Sequence, residues 1–230
     1  MENTIEKCCM NCDFEEDCRK RKSENEEDRK AAALMVCEDW KPDVDTLKKM
    51  NEEQDKRLRQ FDLLMGKYVS DEFRDWLIKN GFFEKPASIK HHGAYTGALF
   101  DHSFMVAKIL EDLTEQMGLN WQQDRSPYIV GMFHDLCKID TYQRTDDEKW
   151  EYNNATLLPG HGEKSVIMLQ MWGLKLTMDE ILAIRWHMTA WDLAFQSPEQ
   201  KANLNAARTN TPLCTVIQSA DGLSSNLVEM

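Results

Sequence analysis

The chain has 230 residues, 42% of them hydrophobic and 30% charged, with a formal net charge of −12. That is enough for one well-cored domain and a small appendage, while the acidic balance argues against long nucleic acid as a partner. No apolar run approaches the roughly 20 residues a membrane helix needs, and the opening MENTIEKCCMNC is polar rather than signal-like, so a cytoplasmic protein with no membrane contact is expected.

Residues 1–42 stand apart. Five of the seven cysteines lie here: Cys8, Cys9, Cys12, Cys18 and Cys37. The charged run Arg19 to Lys30 has too few apolar residues to pack by itself. Cys9, Cys12, Cys18 and Cys37 supply the four thiolates of one tetrahedral structural zinc, which a segment this short needs in place of a core. Cys8 can substitute for Cys9, and the bland alternative is a set of reduced thiols on a tail. Residues 43–68 read as a helical linker, with Leu47, Met50, Leu58, Phe61, Leu64 and Met65 spaced among many charges.

From residue 69 to 230 the pattern is helix after helix. Ser70 caps DEFRDWLIKN and Gly81 ends it. Leu99 to Met117 carries apolar residues at three- and four-residue spacing and stops at Gly118. Ser126-Pro127 opens the next helix, serine as N-cap and proline at the first position. Thr141 to Tyr152 alternates weakly and allows a short β-hairpin. Gly162 to Met171 is helical, ending at Gly173. Thr177 and Glu180 form a capping box for the helix leading to His187, and Thr211-Pro212 launches the last helix, which carries Asp221. The fold class is all-α: a compact helical bundle preceded by a cysteine-rich module.

Polar groups interrupt these apolar faces at informative places. His102 lies in GALFDHS, His134 and Asp135 in YIVGMFHDLCKID, His161 in LLPGHGEKS, His187 in ILAIRWHMTAW and Asp221 in VIQSADGLSS. Taken singly, each is an ordinary hydrogen-bonded core group. Taken together, several helices each turning one imidazole or carboxylate inward suggest a shared partner, and a divalent cation satisfies both donor types at once. Cys137 and Cys214, within apolar stretches, read as small core residues.

The ordered set His102, His134-Asp135 and Asp221 resembles the H…HD…D signature of HD-superfamily metal-dependent phosphohydrolases, over residues 85–228. The resemblance implies a helical bundle with the metal between helices, and His102, His134, Asp135 and Asp221 as ligands of a first metal. His161 and His187 match the extra histidines of the two-metal subgroup, with Asp135 as the bridge. Lys138 matches the lysine of the HD-x-x-K form and would contact a substrate phosphate, making Asp135 and Lys138 the catalytic pair. His91, His92 and Arg185 are further substrate-binding candidates; for Arg185 and Lys164 a solvent-facing role is the ordinary alternative. The metal set suits manganese, iron, cobalt or zinc. The implied reaction is hydrolysis of a phosphoester or phosphoanhydride in a small phosphorylated substrate, a nucleotide or a short nucleic-acid end. KHHGAYTGALFDHS also resembles a segment of certain bacterial 3′-to-5′ exoribonucleases, whose OB-type nucleic-acid domain has no counterpart here. A regulatory module that keeps the fold without turnover is the reading from another class; such relatives lose ligands, and here every matching position is filled.

Overall fold

The computed structural model describes residues 44–90, 93–146, 149–156, 161–189 and 197–228. The cysteines Cys9, Cys12, Cys18 and Cys37 and the pair His91-His92 lie outside them.

Two compact units are distinguished. The larger comprises Arg57–Gln143 and Trp150–Met230; in the smaller, the described residues are 44–56, 144–146 and 149. In the smaller unit the turn is closed by the Thr145 amide donating to the Lys149 carbonyl at 2.9 Å.

The described residues open with α1 (Val44–Met65) and α2 (Asp71–Lys79), followed by α3 (Ala98–Gln116), α4 (Ser126–Phe133) and the short α5 (Lys138–Thr141). A two-stranded sheet, β1 (Tyr142–Arg144) and β2 (Trp150–Tyr152), comes next. Then follow α6 (His161–Met171), α7 (Met178–Trp186), α8 (Pro198–Asn210) and α9 (Pro212–Leu223), which ends in a π-helical turn, Ser224–Val228. Among the described residues the fold is therefore all-α apart from the one hairpin the sequence allowed. No helix among the described residues is long and apolar enough to cross a membrane.

Local chemistry accounts for most boundaries. Ser70 Oγ accepts the Phe73 amide at 3.2 Å, and Gly81 takes a left-handed φ of 78° after α2. The capping box at Thr177 is complete, with Thr177 Oγ1 accepting the Glu180 amide and Glu180 Oε2 accepting the Thr177 amide. Two expected caps differ. Ser126 is the first residue of α4, not its N-cap, and its hydroxyl donates instead to buried Glu180 Oε1 at 3.1 Å. That carboxylate also holds Arg125 at 3.2 Å; an interior charge takes the donors it can reach. Thr211 occupies the N-cap of α9 without a capping bond and donates to Asp179 Oδ1 at 3.3 Å. Helix α8 was not anticipated at all, although Ser197 and Gln200 give it a complete capping box.

The core of the larger unit is aromatic. Phe61, Phe73, Phe82, Phe83, Phe100 and Phe133 are fully or almost fully buried, with ring centroids 5.2 Å apart for Phe83–Phe100 and 5.5 Å for Phe73–Phe133. Phe61 and Met65 of α1 belong to this core. Two glycines then set how closely the elements approach. A Cβ on Gly131 would lie 2.4 Å from Ala107 Cα, so α4 lies directly against α3. A Cβ on Gly162 would lie 2.2 Å from the Arg185 carbonyl oxygen, so the start of α6 abuts the end of α7. His134 lies one turn beyond Gly131, and His161 directly precedes Gly162, so each lies beside a close approach of helices.

Candidate metal centre

Five side chains from four places in the chain converge. His102 lies in the first turns of α3, His134 caps the C-terminal end of α4 with Asp135 following, His187 caps the end of α7, and Asp221 lies near the end of α9. His102, His134, Asp135 and His187 are all at most 3% exposed.

The donor atoms face one another. His102 Nε2 is 3.3 Å from His134 Nε2, 3.3 Å from Asp221 Oδ1 and 3.8 Å from Asp135 Oδ2. His134 Nε2 is 3.5 Å from Asp135 Oδ2, and His187 Nε2 is 3.4 Å from Asp135 Oδ1. One donor atom each from His102, His134 and Asp135 lie within 4.8 Å of one another, as do those of His134, His187 and Asp221. Asp135, Cys137 and His161 make a third such set. Asp135 thus belongs to two of these clusters.

Helix ends fix the imidazole orientations. His134 Nδ1 lies 2.8 Å from the Gly131 carbonyl, and His187 Nδ1 lies 2.7 Å from the Ile184 carbonyl. A carbonyl only accepts, so both Nδ1 atoms carry the proton, and in the neutral rings both Nε2 atoms are lone pairs aimed inward. His102 Nδ1 meets Ser224 Oγ at 3.3 Å, and Ser225 Oγ donates to Asp221 Oδ1 at 3.3 Å. Such outer partners orient metal ligands. The two serines follow directly after α9, inside the π turn.

The electrostatics are those of a site built for a cation. Burial pushes His134 down to about 4, so its imidazole is neutral and free to donate. For His187, burial is outweighed by the adjacent Asp135 carboxylate, which raises its proton affinity. Burial alone would raise Asp135 and Asp221; Lys138 and His134 hold the first, and His102 with its neighbours the second, well below the usual carboxylate range. Lys138 Nζ sits 2.6 Å from Asp135 Oδ2, and that contact keeps the lysine charged despite its burial.

Two buried atoms in this cluster, Asp135 Oδ1 and His187 Nε2, have no hydrogen-bond partner. His187 Nε2 faces Asp135 Oδ1 at 3.4 Å, a gap that either a shared proton, which the raised proton affinity of His187 favours, or a cation between the two atoms would close. The donor set therefore fits a divalent transition metal: imidazoles supply lone pairs and two carboxylates supply the offsetting charge.

Two other candidates have partners of their own. Arg185 pairs with Glu163, and its guanidinium stacks over the Trp186 ring at 3.9 Å. Lys164 is buried, paired with Asp140 at 2.5 Å and bonded to Thr156. Neither takes the solvent-facing role that was its plain alternative. Cys137 was read as a core filler, but its Sγ lies 3.2 Å from His161 Nδ1; a thiol two residues beyond the HD pair was the signal. Ser224 and Ser225, in SADGLSS, touch the cluster through His102 and Asp221, which no local sequence pattern indicates.

No curated protein and no solved structure matches the chain significantly. The family model for the HD domain matches residues 99–226, from the third residue before His102 to five residues past Asp221. That stretch is more than half of the chain and contains every ligand just described, and the chain belongs to the HD domain family, within the metal-dependent hydrolase superfamily.

Proposed function

We propose that the protein is a metal-dependent phosphohydrolase that cleaves a phosphoester or phosphoanhydride of a nucleotide or short nucleic-acid end. The observation that carries this reading is Asp135: a buried carboxylate shared by two donor clusters, with one oxygen unpartnered and the other against Lys138. His102, His134, Asp135 and Asp221 would hold one cation, with His187 and His161 completing a second position that Asp135 bridges. A divalent cation held by these residues lowers the pKa of water at the site and offsets charge developing on the phosphoryl oxygens.

The remaining work falls to the chain itself. Asp135 stays ionised and so serves as a ligand at any neutral pH. The Nδ1–H bonds of His134 and His187 to helix-end carbonyls hold both rings in the donor orientation. Lys138 is 12% exposed; from the cluster's edge it offers a fixed positive charge to a phosphoryl oxygen. The net charge of −12 favours a small substrate or strand end over a processive track for long strands. A structural zinc on Cys9, Cys12, Cys18 and Cys37, and residence in the cytoplasm, complete the reading.

The test is metal content followed by turnover against nucleoside mono-, di- and triphosphates, cyclic nucleotides and short oligonucleotides. Asp135→Ala should abolish turnover and strip the metal of the HD site, leaving only zinc held by the N-terminal cysteines. Full metal content and activity in that variant would overturn the assignment.

A further inference from the structure

Cys137 stands beside the metal centre rather than in the apolar core. It is 1% exposed, and its Sγ points at His161 Nδ1 across 3.2 Å. Its backbone amide donates to Ser165 Oγ at 3.0 Å, and Ser165 lies on α6, the helix that begins with His161. One bond therefore fixes the thiol's backbone to the same helix that presents the imidazole. A carboxylate oxygen of Asp135 completes the set, with all three donor atoms within 4.8 Å of one another.

The other buried thiol shows the contrast. Cys214 lies in α9 with the core residues, and no cluster of metal-binding groups includes it among the described residues. Burial raises both thiols, to about 12, so what sets Cys137 apart is its neighbours.

We propose that Cys137 is a thiolate ligand of a second cation position formed with His161 and Asp135, which selects a thiophilic metal such as zinc, cobalt or iron over magnesium. This rests on the metal-dependent reading above and adds to it a donor that the family resemblance did not assign. Bond lengths of about 2.3 Å to sulfur and about 2.1 Å to an imidazole nitrogen at a tetrahedral cation put the two donors ~3.6 Å apart. The present separation of 3.2 Å needs only a small opening to reach that. Ligation replaces the S–H bond with a sulfur–metal bond, and the thiol proton leaves to solvent. Without a cation the same pair is satisfied by an S–H···N hydrogen bond, which explains why a buried thiol is tolerated there. A thiolate beside imidazole and carboxylate makes the second position softer than the first, so the two positions differ in metal preference.

Cobalt(II) reports both positions optically in the full-length protein: ligand-field bands for any bound ion, and a near-ultraviolet charge-transfer band only where a thiolate binds. The N-terminal cysteines contribute thiolate bands of their own, so the readout is the difference between wild type and variant. Cys137→Ala should lose one cobalt equivalent or weaken its binding at least tenfold, about the least that losing even an outer-shell partner costs, with a matching loss of charge-transfer intensity. Cys137→Ser, which keeps a small polar side chain, and His161→Gln should lose the same component if alanine perturbs the fold, while Cys214→Ala should lose none. Magnesium should fail to displace the cobalt that Cys137→Ala loses, whereas zinc displaces it. If Cys137→Ala and Cys137→Ser keep the wild-type stoichiometry and charge-transfer band while Asp135→Ala loses cobalt, the thiolate ligand is wrong and the metal centre stands. If Asp135→Ala also keeps all its cobalt, the metal centre itself is wrong and the proposal falls with it.

Discussion

Lys138 is the side chain whose role is best separated from metal binding. It sits one turn beyond Asp135 and contacts that carboxylate at 2.6 Å, yet an ammonium has no lone pair and cannot be a ligand. Removing it should therefore spare the metal and spend its effect on catalysis. Lys138→Met, which keeps the length of the side chain, should leave metal stoichiometry unchanged and lower kcat/KM by about 10²-fold or more, in line with the loss of one positioned donor. Parallel loss of metal and rate would instead make Lys138 a support for Asp135. At this scale the sequence was most informative where chemistry forces rarity: an imidazole or ionised carboxylate inside an apolar helix has few explanations, so His102, His134, Asp135, His187 and Asp221 were legible. Cys137 was not, because an apolar-flanked thiol is far more often a filler than a ligand. Ser224 and Ser225 escaped for a similar reason, since a serine after a helix is an ordinary terminus until its partner in space is known.

Helix geometry turns those residues into a site. Two of the clustered histidines terminate helices, where their Nδ1 protons satisfy carbonyls three residues back and the rings are held without help from other elements. What remains is to bring the helix ends together, and the glycines do this. Gly131→Ala would push a methyl to 2.4 Å from Ala107 Cα, against backbone that cannot swing aside as a side chain could. The expected cost is about 2–4 kcal/mol, read as a lowered urea midpoint, together with weakened metal binding because the Gly131 carbonyl orients His134. Gly118 supplies the control. A Cβ there meets nothing within 4 Å, although φ is +61°, so Gly118→Ala should cost only about 1 kcal/mol and leave metal binding alone. Equal losses in the two variants would mean that close packing of α3 on α4 is not what places His134. The capped, amphipathic helices were readable because propensity and burial pattern agree in them. Helix α8 was missed because only Leu204 and Ala207 in it are buried; with so little apolar surface to hide, no 3.6-residue period appears, and its Ser197 capping box and Pro198 at the first position were the sequence signals. The role of Ser126 depended on Glu180, 54 residues away, which no local pattern encodes.

For the molecule as a whole, the proposed metal centre is first a question of stability. Its ligands come from α3, α4, α7 and α9, so ordering them draws on most of the larger unit, and the unfolded chain has no equivalent arrangement to offer a cation. Binding to the folded state alone adds RT ln(1 + [L]/Kd), about 2.7 kcal/mol when free metal is a hundredfold above Kd. At roughly 2–4 °C per kcal/mol for a chain of this size, stripping the HD-site metal with a chelator should lower Tm by about 5–10 °C, and returning zinc, cobalt or manganese should restore it. The N-terminal cysteines complicate a simple chelation experiment, because a structural zinc there would be stripped as well. Asp135→Ala resolves this: it should start near the chelated Tm of the wild type and gain little from added metal, because the proposed HD-site ligand set is broken. Lys138 limits how far the metal-free protein falls, since its ammonium already offsets the Asp135 charge at 2.6 Å; Lys138→Met should therefore widen the gap between metal-loaded and metal-free Tm. A wild-type Tm indifferent to chelation, with the HD-site metal shown to have left, would mean that the ligand cluster holds together by its own hydrogen bonds and that the unpartnered Asp135 Oδ1 and His187 Nε2 cost the fold nothing.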